Sequence, residues 1–478
     1  MRHHAYVALM TSLALLLLPS CRAGSGAATS LSPPLSDSVR SLATAPSAVT
    51  FLPDTSKRFA LMQINDAYGR GNISMTTAQI QAEAPHYDSI WGSFQPGTWD
   101  TYHPGMLVSR YVLPNEDVKL ISKHDLTWWK ANHPDWILYA CLSNGTPTHD
   151  LAASGTGFGD IPLDIHNTSA LNSPVVDYQV RQLVGPDMIR EGFNAIAADN
   201  ITFANYLFDA SLPLSSHAYG CGVWQGNTFV RRYGPPTGGD FDKPDPAFIS
   251  DLINWLAQAK KILTTDTTLA PHHFKIIVNH PFDSSSPDGN ELSMLQSIDG
   301  LLDESGFTHY GSRVTQGGFA QAVNWAQYAQ SHNRAIFFAD YFCQNNTNPD
   351  TGQPCSTDPS TLTAKEVDWA LGSYAIVNNG GSNVFISPKG GAIYTYRPEY
   401  AKQYGAACGA FTQSGYLYTR RFANGFAVVN AGTTAQMVQL PAHTYSDIEG
   451  RPISSRMTVN AADAYMLLLT PANGTGCT

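Results

Sequence analysis

Glu191-Gly192-Phe193-Asn194-Ala195-Ile196-Ala197-Ala198-Asp199-Asn200 holds a short apolar run that ends in a carboxylate and an amide. It follows an amphipathic stretch, Pro174 to Glu191, that reads as a helical connector. The same alternation of amphipathic segment and short apolar run extends in both directions from this point. The runs are Phe59 to Ile64, Ser89 to Trp91, Met106 to Val112, Trp136 to Cys141, Asn194 to Ala198, Lys275 to Val278, Asp299 to Leu302, Ala335 to Ala339 and Asn383 to Ile386. Further helical connectors cover Pro246 to Leu263 and Ala364 to Ser373. Repeated βα units imply a parallel sheet, and the count suits the eight positions of a (β/α)8 TIM barrel, fold class α/β. The surplus run, Trp136 to Cys141, precedes Asn144-Gly145 and a Gly/Thr-rich stretch, and is assigned to an excursion after the third strand. Around Tyr400 the texture changes. Tyr416 to Phe422, Phe426 to Asn430, Met437 to Leu440 and Ala464 to Leu469 alternate with the turns Asn424-Gly425, Ala431-Gly432 and Glu449-Gly450, which predicts a small antiparallel β-domain. The expected domains are a barrel over 51–400 and a C-terminal β-domain over 401–478.

The chain has 478 residues, 43% of them apolar and 11% aromatic, enough for one large domain and one small one. Only 14% are charged, against about 25% in typical soluble proteins. The formal net charge is -10 and no Lys/Arg block occurs, which excludes nucleic acid as a partner. Surface polarity must come from Asn, Ser, Thr, Gln and Gly, which suits an extracytoplasmic protein that handles neutral polar ligands. The N-terminus supports that reading. Met1-Arg2-His3-His4, the apolar run Ala5 to Leu18 and Pro19-Ser20-Cys21 have the layout of a secretory signal. Leu18-Pro19-Ser20-Cys21 resembles a bacterial lipobox, so residues 1–21 are read as a signal peptide whose cysteine is lipidated, with ordinary cleavage beyond Cys21 as the alternative. The apolar run is shorter than the roughly 20 residues a membrane span needs, so membrane attachment is expected only through lipid. Residues 22–50, rich in Ser, Ala, Pro, Gly and Thr, read as a flexible linker. The expected location is the bacterial cell envelope or the medium, and the expected state is monomeric.

Six further cysteines, an even number, suit an oxidising compartment. Spacing does not fix their connectivity, but Cys343 with Cys355 closes one polar loop, Cys408 with Cys477 brackets the C-terminal module, and Cys141 with Cys221 remains. No Cys-x-x-Cys or His-x-x-x-His pair supports a metal site. There is no Gly-x-Ser-x-Gly elbow for a serine hydrolase and no glycine-rich nucleotide loop, so no cofactor is expected.

In a (β/α)8 barrel the chemistry lies where loops leave the C-terminal ends of the strands. Those ends carry Asp66 on the first strand, Arg110 and Tyr111 on the third, Asp199 and Asn200 on the fourth, Asn279 and His280 on the fifth, Asp303 and Glu304 on the sixth, and Asp340 and Tyr341 on the seventh. Glycoside hydrolysis needs two carboxyl groups about one acetal, one to protonate the departing oxygen and one to attack carbon or activate water. Asp199 and Glu304 fit best, each after a short apolar strand and two strands apart. Asp303 is the nearest competitor. Side chains alternate along a strand, so Asp303 and Glu304 should face opposite ways, and a one-residue error in the strand end would exchange them.

Gly192-Phe193-Asn194-Ala195-Ile196-Ala197-Ala198-Asp199 resembles the Gly-Phe-Asp-Gly-apolar-apolar-apolar-Asp segment of the fourth strand in barrel glycoside hydrolases, including the endo-α-1,4-polygalactosaminidase family. Asn194 and Ala195 replace its Asp-Gly. Ile298 to Glu304 is similar to the sixth-strand segment of that family, which supplies a second carboxylate. The resemblance implies that Asp199 and Glu304 are catalytic. It also implies a β-sandwich for the C-terminal module, on Tyr418 to Gly425 and Asp447 to Gly450.

Sugar sites combine aromatic platforms with polar donors and acceptors. Asp66, Arg110, Tyr111, Asn200, Asn279, Asp340, Tyr341 and Trp91 form the expected binding set, with Trp99 and Trp224 as further stacking candidates. Trp128, Trp129, Trp255 and Trp369 lie in helical connectors and read as packing. His103, His133 and His280 neighbour proline and read as structural. These readings converge on an exported glycoside hydrolase with an oligosaccharide or polysaccharide substrate. The alternative is a non-catalytic carbohydrate-binding lipoprotein on the same scaffold. A deacetylase or esterase would need a metal or a nucleophilic serine, for which no motif is present.

Overall fold

The computed structural model describes residues 49, 51–64, 66, 75–117, 124–142, 144–152, 161–166, 171–203, 219–234, 245–282, 284–304, 306–309, 311–343, 347–348, 351–356, 358–389 and 396–477. The expected signal peptide and lipobox at 1–21, and the linker at 22–50 apart from residue 49, lie outside the described residues. The chain forms two compact units. The larger contains Val39–Tyr111, Gly185–Asn200 and Leu263–Thr478, and the other contains Val112–Val184 and Ile201–Ile262.

Eight strands of the larger unit form one sheet in chain order: β1 (Met62–Ile64), β2 (Ser89–Trp91), β3 (Leu107–Val112), β4 (Ala195–Ala198), β5 (Lys275–Asn279), β6 (Gly300–Asp303), β7 (Ala335–Tyr341) and β8 (Ser382–Ser387). Neighbouring strands pair in parallel. A parallel bridge between Leu61 and Val384 closes the sheet, with the Val384 amide donating to the Ala60 carbonyl at 2.9 Å. The result is a (β/α)8 barrel. Strands covered on both faces must be apolar throughout, and all four residues of β4 are at 0% exposure. Eight of the nine apolar runs in the sequence supply the barrel strands, each within a few residues of its expected place.

Asn194, just before β4, ties that strand to its neighbour. Its Oδ1 accepts from the Val108 amide at 2.7 Å and its Nδ2 donates to the Met106 carbonyl at 2.7 Å. Helices α1 (Thr77–Glu83), α2 (Pro96–Tyr102), α3 (Gly185–Glu191), α4 (Gly289–Ser297), α5 (Gln316–Ser331) and α6 (Ala364–Val377) intervene between strands. Three of them begin at capping boxes, Thr76/Gln79, Asp288/Glu291 and Thr363/Glu366, in which side chain and backbone satisfy each other's free donors. The expected connector Pro174 to Glu191 is helical but widens to a π-turn over Gln179–Val184. Pro186 follows, and it has no N–H to give to the preceding turn.

The C-terminal strands are β9 (Thr412–Ser414), β10 (Leu417–Phe422), β11 (Gly425–Asn430), β12 (Gln436–Gln439), β13 (Tyr445–Ser446), β14 (Pro452–Ile453), β15 (Arg456–Val459) and β16 (Asp463–Leu469). Six of them form an antiparallel sheet in the order β9-β10-β11-β16-β13-β14, and β12 pairs with β15. Phe426, Val428, Tyr445, Leu467 and Leu469 of the sheet share a core with Val438 and Val459 of the pair, which makes a small sandwich. These strands belong to the same compact unit as the barrel. Arg420 of β10, buried at 4% exposure, donates to the carbonyls of Ala375, Ile376 and Asn378 and so caps the C-terminus of α6. Burial lowers its guanidinium to about 10.

In the other unit, Tyr139–Cys141, Pro147–Leu151, Tyr219–Gln225 and Thr228–Arg231 make an antiparallel sheet, so the ninth apolar run stays out of the barrel as expected. The disulfides are Cys141–Cys221, Cys343–Cys355 and Cys408–Cys477, the three expected pairs. Trp129, Trp255 and Trp369 are at 0% exposure, as packing residues should be. Among the described residues no helix is long and apolar enough to cross a membrane.

Candidate active site

Strand register brings Asp199, Asn279 and Glu304 together. Ala198 on β4 pairs with Val278 on β5, so the next residues, Asp199 and Asn279, emerge side by side at the strand ends. Asn279 pairs with Leu302 on β6, and Glu304 follows two residues later. The Asn279 Nδ2 donates to Asp199 Oδ1 at 2.8 Å and to Glu304 Oε2 at 2.9 Å. Those two oxygens cannot lie further apart than the combined length of the bonds, about 6 Å. Tyr111 of β3 donates its hydroxyl to Asp199 Oδ2 at 2.6 Å, and the Asn200 amide donates to Oδ1 at 2.9 Å. Asn200 has φ +57°, a left-handed turn that asparagine tolerates better than most residues. Tyr341 of β7 makes a longer hydroxyl bond to Glu304 Oε1, 3.4 Å.

The electrostatics set the two acids apart. Glu304 keeps solvent access at the strand ends. Even so, the surrounding protein, followed by the charge of Asp199, pushes its carboxyl up to about 7, against the lowering hydrogen bonds of Asn279 and Tyr341. Burial also raises Asp199, but three donors, Tyr111, Asn279 and the Asn200 amide, oppose that and favour its ionised form. The arrangement can therefore present one protonated and one ionised carboxyl to a group between them.

Of the expected set, Tyr111, Asn200, Asn279 and Tyr341 meet the pair, and Trp91 stands behind it, edge to face with Tyr111 at 5.7 Å between ring centroids. Glu304, not Asp303, reaches Asn279, as alternation along β6 requires. Asp303 is buried at 5% exposure.

Three expected binding residues are not brought to the pair. Asp66 is at 0% exposure and accepts from Ser93 Oγ, the amides of Phe94 and Gln95, and Trp99 Nε1, so its carboxylate organises the loop after β2. The same bond accounts for Trp99, which is fully buried. Arg110, next to Tyr111 on β3 and so on the opposite face, forms an ion pair with Asp187 at 3.1 Å and lies over the Phe193 ring. Asp340, at 0% exposure, accepts from the Phe307 amide at 2.6 Å. Strand ends alone cannot separate these cases, because a polar residue one position off the mouth-facing side looks the same in sequence. Sequence reading also passed over Gly306 and Thr308, which shape the turn after Glu304. The glycine two residues beyond the acid was the available signal. Among the described residues no group of three His, Cys, Asp or Glu is placed to hold a metal.

No family model matches the sequence, and no curated protein does. Among solved structures the chain is similar to an alpha-glucosyl transfer enzyme, at 10% identity over 87% of this chain and 99% of that one, with a TM-score of 0.43. It is similar to the trehalose-6-phosphate hydrolase of Bacillus licheniformis, at 11% identity over 87% and 100%, with a TM-score of 0.37. A third is the type III pullulan hydrolase from Thermococcus kodakarensis, at 12% identity over 88% and 78%, with a TM-score of 0.39.

Proposed function

We propose that this protein is a retaining glycoside hydrolase in which Asp199 is the nucleophile and Glu304 the general acid and base. The observation that carries the reading is the Asn279 amide bonded to both carboxyl groups. Two oxygens bonded to one amide nitrogen, at 2.8 and 2.9 Å, stand closer than the ≈ 6.5–9.5 Å that admits a water between the groups, which favours the ≈ 5–5.5 Å arrangement of retaining enzymes. In the first step an Asp199 oxygen bonds to the anomeric carbon while the glycosidic C–O bond breaks, and the Glu304 proton passes to the leaving oxygen. In the second, Glu304 takes a proton from water, the water oxygen bonds to the anomeric carbon, and the Asp199 ester is released. Tyr111 and the Asn200 amide hold the Asp199 carboxylate in one orientation throughout.

The substrate is an oligosaccharide or polysaccharide. We read the protein as an exported monomer, either an envelope lipoprotein anchored through Cys21 or a secreted enzyme, and three disulfides support an oxidising compartment. The test is a polysaccharide panel that includes galactosaminoglycan, for the resemblance to polygalactosaminidases, run on the wild type, Asp199→Asn and Glu304→Gln. Turnover should fall by about 10²–10⁴-fold in each variant on a substrate with a poor leaving group. Tight binding without turnover, indifferent to Asp199→Asn, would favour the carbohydrate-binding alternative.

A further inference from the structure

The mechanism leaves Asp340 unused, although it is completely buried one strand away from Glu304. Its Oδ1 accepts from the Phe307 amide at 2.6 Å and from Thr308 Oγ at 3.5 Å. Thr308 Oγ in turn accepts from the backbone amide of Tyr341 at 2.8 Å, the residue whose hydroxyl reaches Glu304. The turn is closed on its other side by the Gly306 amide, which donates to the Asp303 carbonyl, and by Trp369 Nε1, which donates to the Phe307 carbonyl at 2.9 Å. Gly306 has φ +51°, and a Cβ there would lie 2.4 Å from Asp340 Oδ1 and 3.0 Å from the Ala339 carbonyl oxygen. The backbone is therefore drawn so close to the Asp340 carboxyl that only glycine fits.

We propose that Asp340 is a positioning residue for Glu304: with Thr308 it fixes both the turn that carries the acid and the tyrosine that hydrogen-bonds it. The inference rests on Glu304 being the acid and base of the reaction. Asp340 touches no substrate. Its role is to hold a chain of contacts, Asp340 to Phe307 and Thr308, Thr308 to Tyr341, Tyr341 to Glu304, that determines how far Glu304 stands from Asp199. Burial, and then the charge of Asp303, push the Asp340 carboxyl up to about 8, so the group works as a neutral acceptor at neutral pH. An asparagine can supply the same acceptor without the charge, whereas an apolar side chain of similar size cannot.

The experiment compares Asp340→Leu, Asp340→Asn and Thr308→Val in the full chain by two measurements. The first follows the Glu304 carboxyl carbon by NMR in protein labelled with ¹³C-glutamate, and Glu304→Gln identifies the resonance. Asp340→Leu should move the Glu304 titration down from about 7 towards the ordinary glutamate range as the acid drifts from Asp199 into solvent, and Thr308→Val should move it the same way. Asp340→Asn should restore it. The second measurement is turnover. Asp340→Leu should lose about 10²-fold in kcat with KM within about threefold, the scale of an ångström-sized misplacement, and its alkaline limb should move to lower pH. A folded Asp340→Leu protein with unchanged Glu304 titration would overturn the proposal. So would equal loss in the Leu and Asn variants. The titration needs no substrate, so it decides this inference even if Glu304→Gln shows that the catalytic reading itself is wrong.

Discussion

At the residue scale, the two carboxyl groups differ in what surrounds them more than in what they are. Glu304 receives two side-chain hydrogen bonds and faces a neighbouring charge, whereas Asp199 receives three donors. Burial raises both carboxyls, and the charge of Asp199 adds to the rise at Glu304. Activity should fall on the alkaline side as pH rises through about 7, because the general acid is lost there. Tyr111→Phe removes a bond that lowers Asp199. The acid limb of kcat/KM should therefore move to higher pH, with a loss of about tenfold at its optimum for one charge-assisted hydrogen bond. A pH-rate profile of that variant checks both, and an unmoved acid limb would detach Tyr111 from the nucleophile. That Asp199 and Glu304 would meet at the strand ends was expected from sequence, because a carboxylate at the end of an apolar strand has few places to point. Asp66 and Asp340 satisfied the same pattern, and only coordinates reveal that loop amides and hydroxyls already occupy them.

Among the elements, strand order was legible where a strand is apolar on both faces. The four-residue β4 is the clearest case, since Ala195 to Ala198 has no polar side chain to confuse its limits. Of the helix beginnings at Asp288/Glu291 and Thr363/Glu366, where capping boxes act locally, only the second was anticipated, by the connector that starts at Ala364. The π-turn over Gln179–Val184 was not, because a widened turn leaves the apolar period nearly unchanged. Asn194 shows what an amide does at this position that a carboxylate could not. It both accepts from Val108 and donates to Met106, and an aspartate could only accept. Asn194→Asp should therefore cost about 1–3 kcal/mol, since a carbonyl loses its donor and gains a carboxylate at its side. Urea unfolding would register this as a lower midpoint at constant slope, and an unchanged midpoint would show that the β3–β4 tie is dispensable.

For the whole molecule, the change from βα order to antiparallel order marked the C-terminal sandwich. The way α6 joins it was not legible, because the contacts are long range. Asp368 of α6 is buried at 3% exposure, and among the described residues its Oδ1 has no hydrogen-bond partner. Burial, and then the charges of Asp447, Asp463 and Glu449, raise it to about 8. A raised folded-state value means a contribution that is complete below the unfolded value near 3.8 and is lost as pH rises to about 8. The wild type should thus lose thermal stability across that window. Asp368→Asn should lose less, so the difference in Tm between the two grows from pH 4 to pH 8. A constant difference would remove Asp368 from the pH dependence.

The central claim is that Asp199 and Glu304 are close enough for direct attack. The most direct test uses an activated 2-deoxy-2-fluoro glycoside of whichever sugar the panel identifies, followed by peptide mass mapping of the inactivated enzyme. The account predicts one glycosyl adduct, an ester on Asp199, that forms in the wild type and is absent from Asp199→Asn. An adduct on any other residue, or steady turnover of a substrate that never labels the enzyme and gives product of inverted configuration, would contradict it.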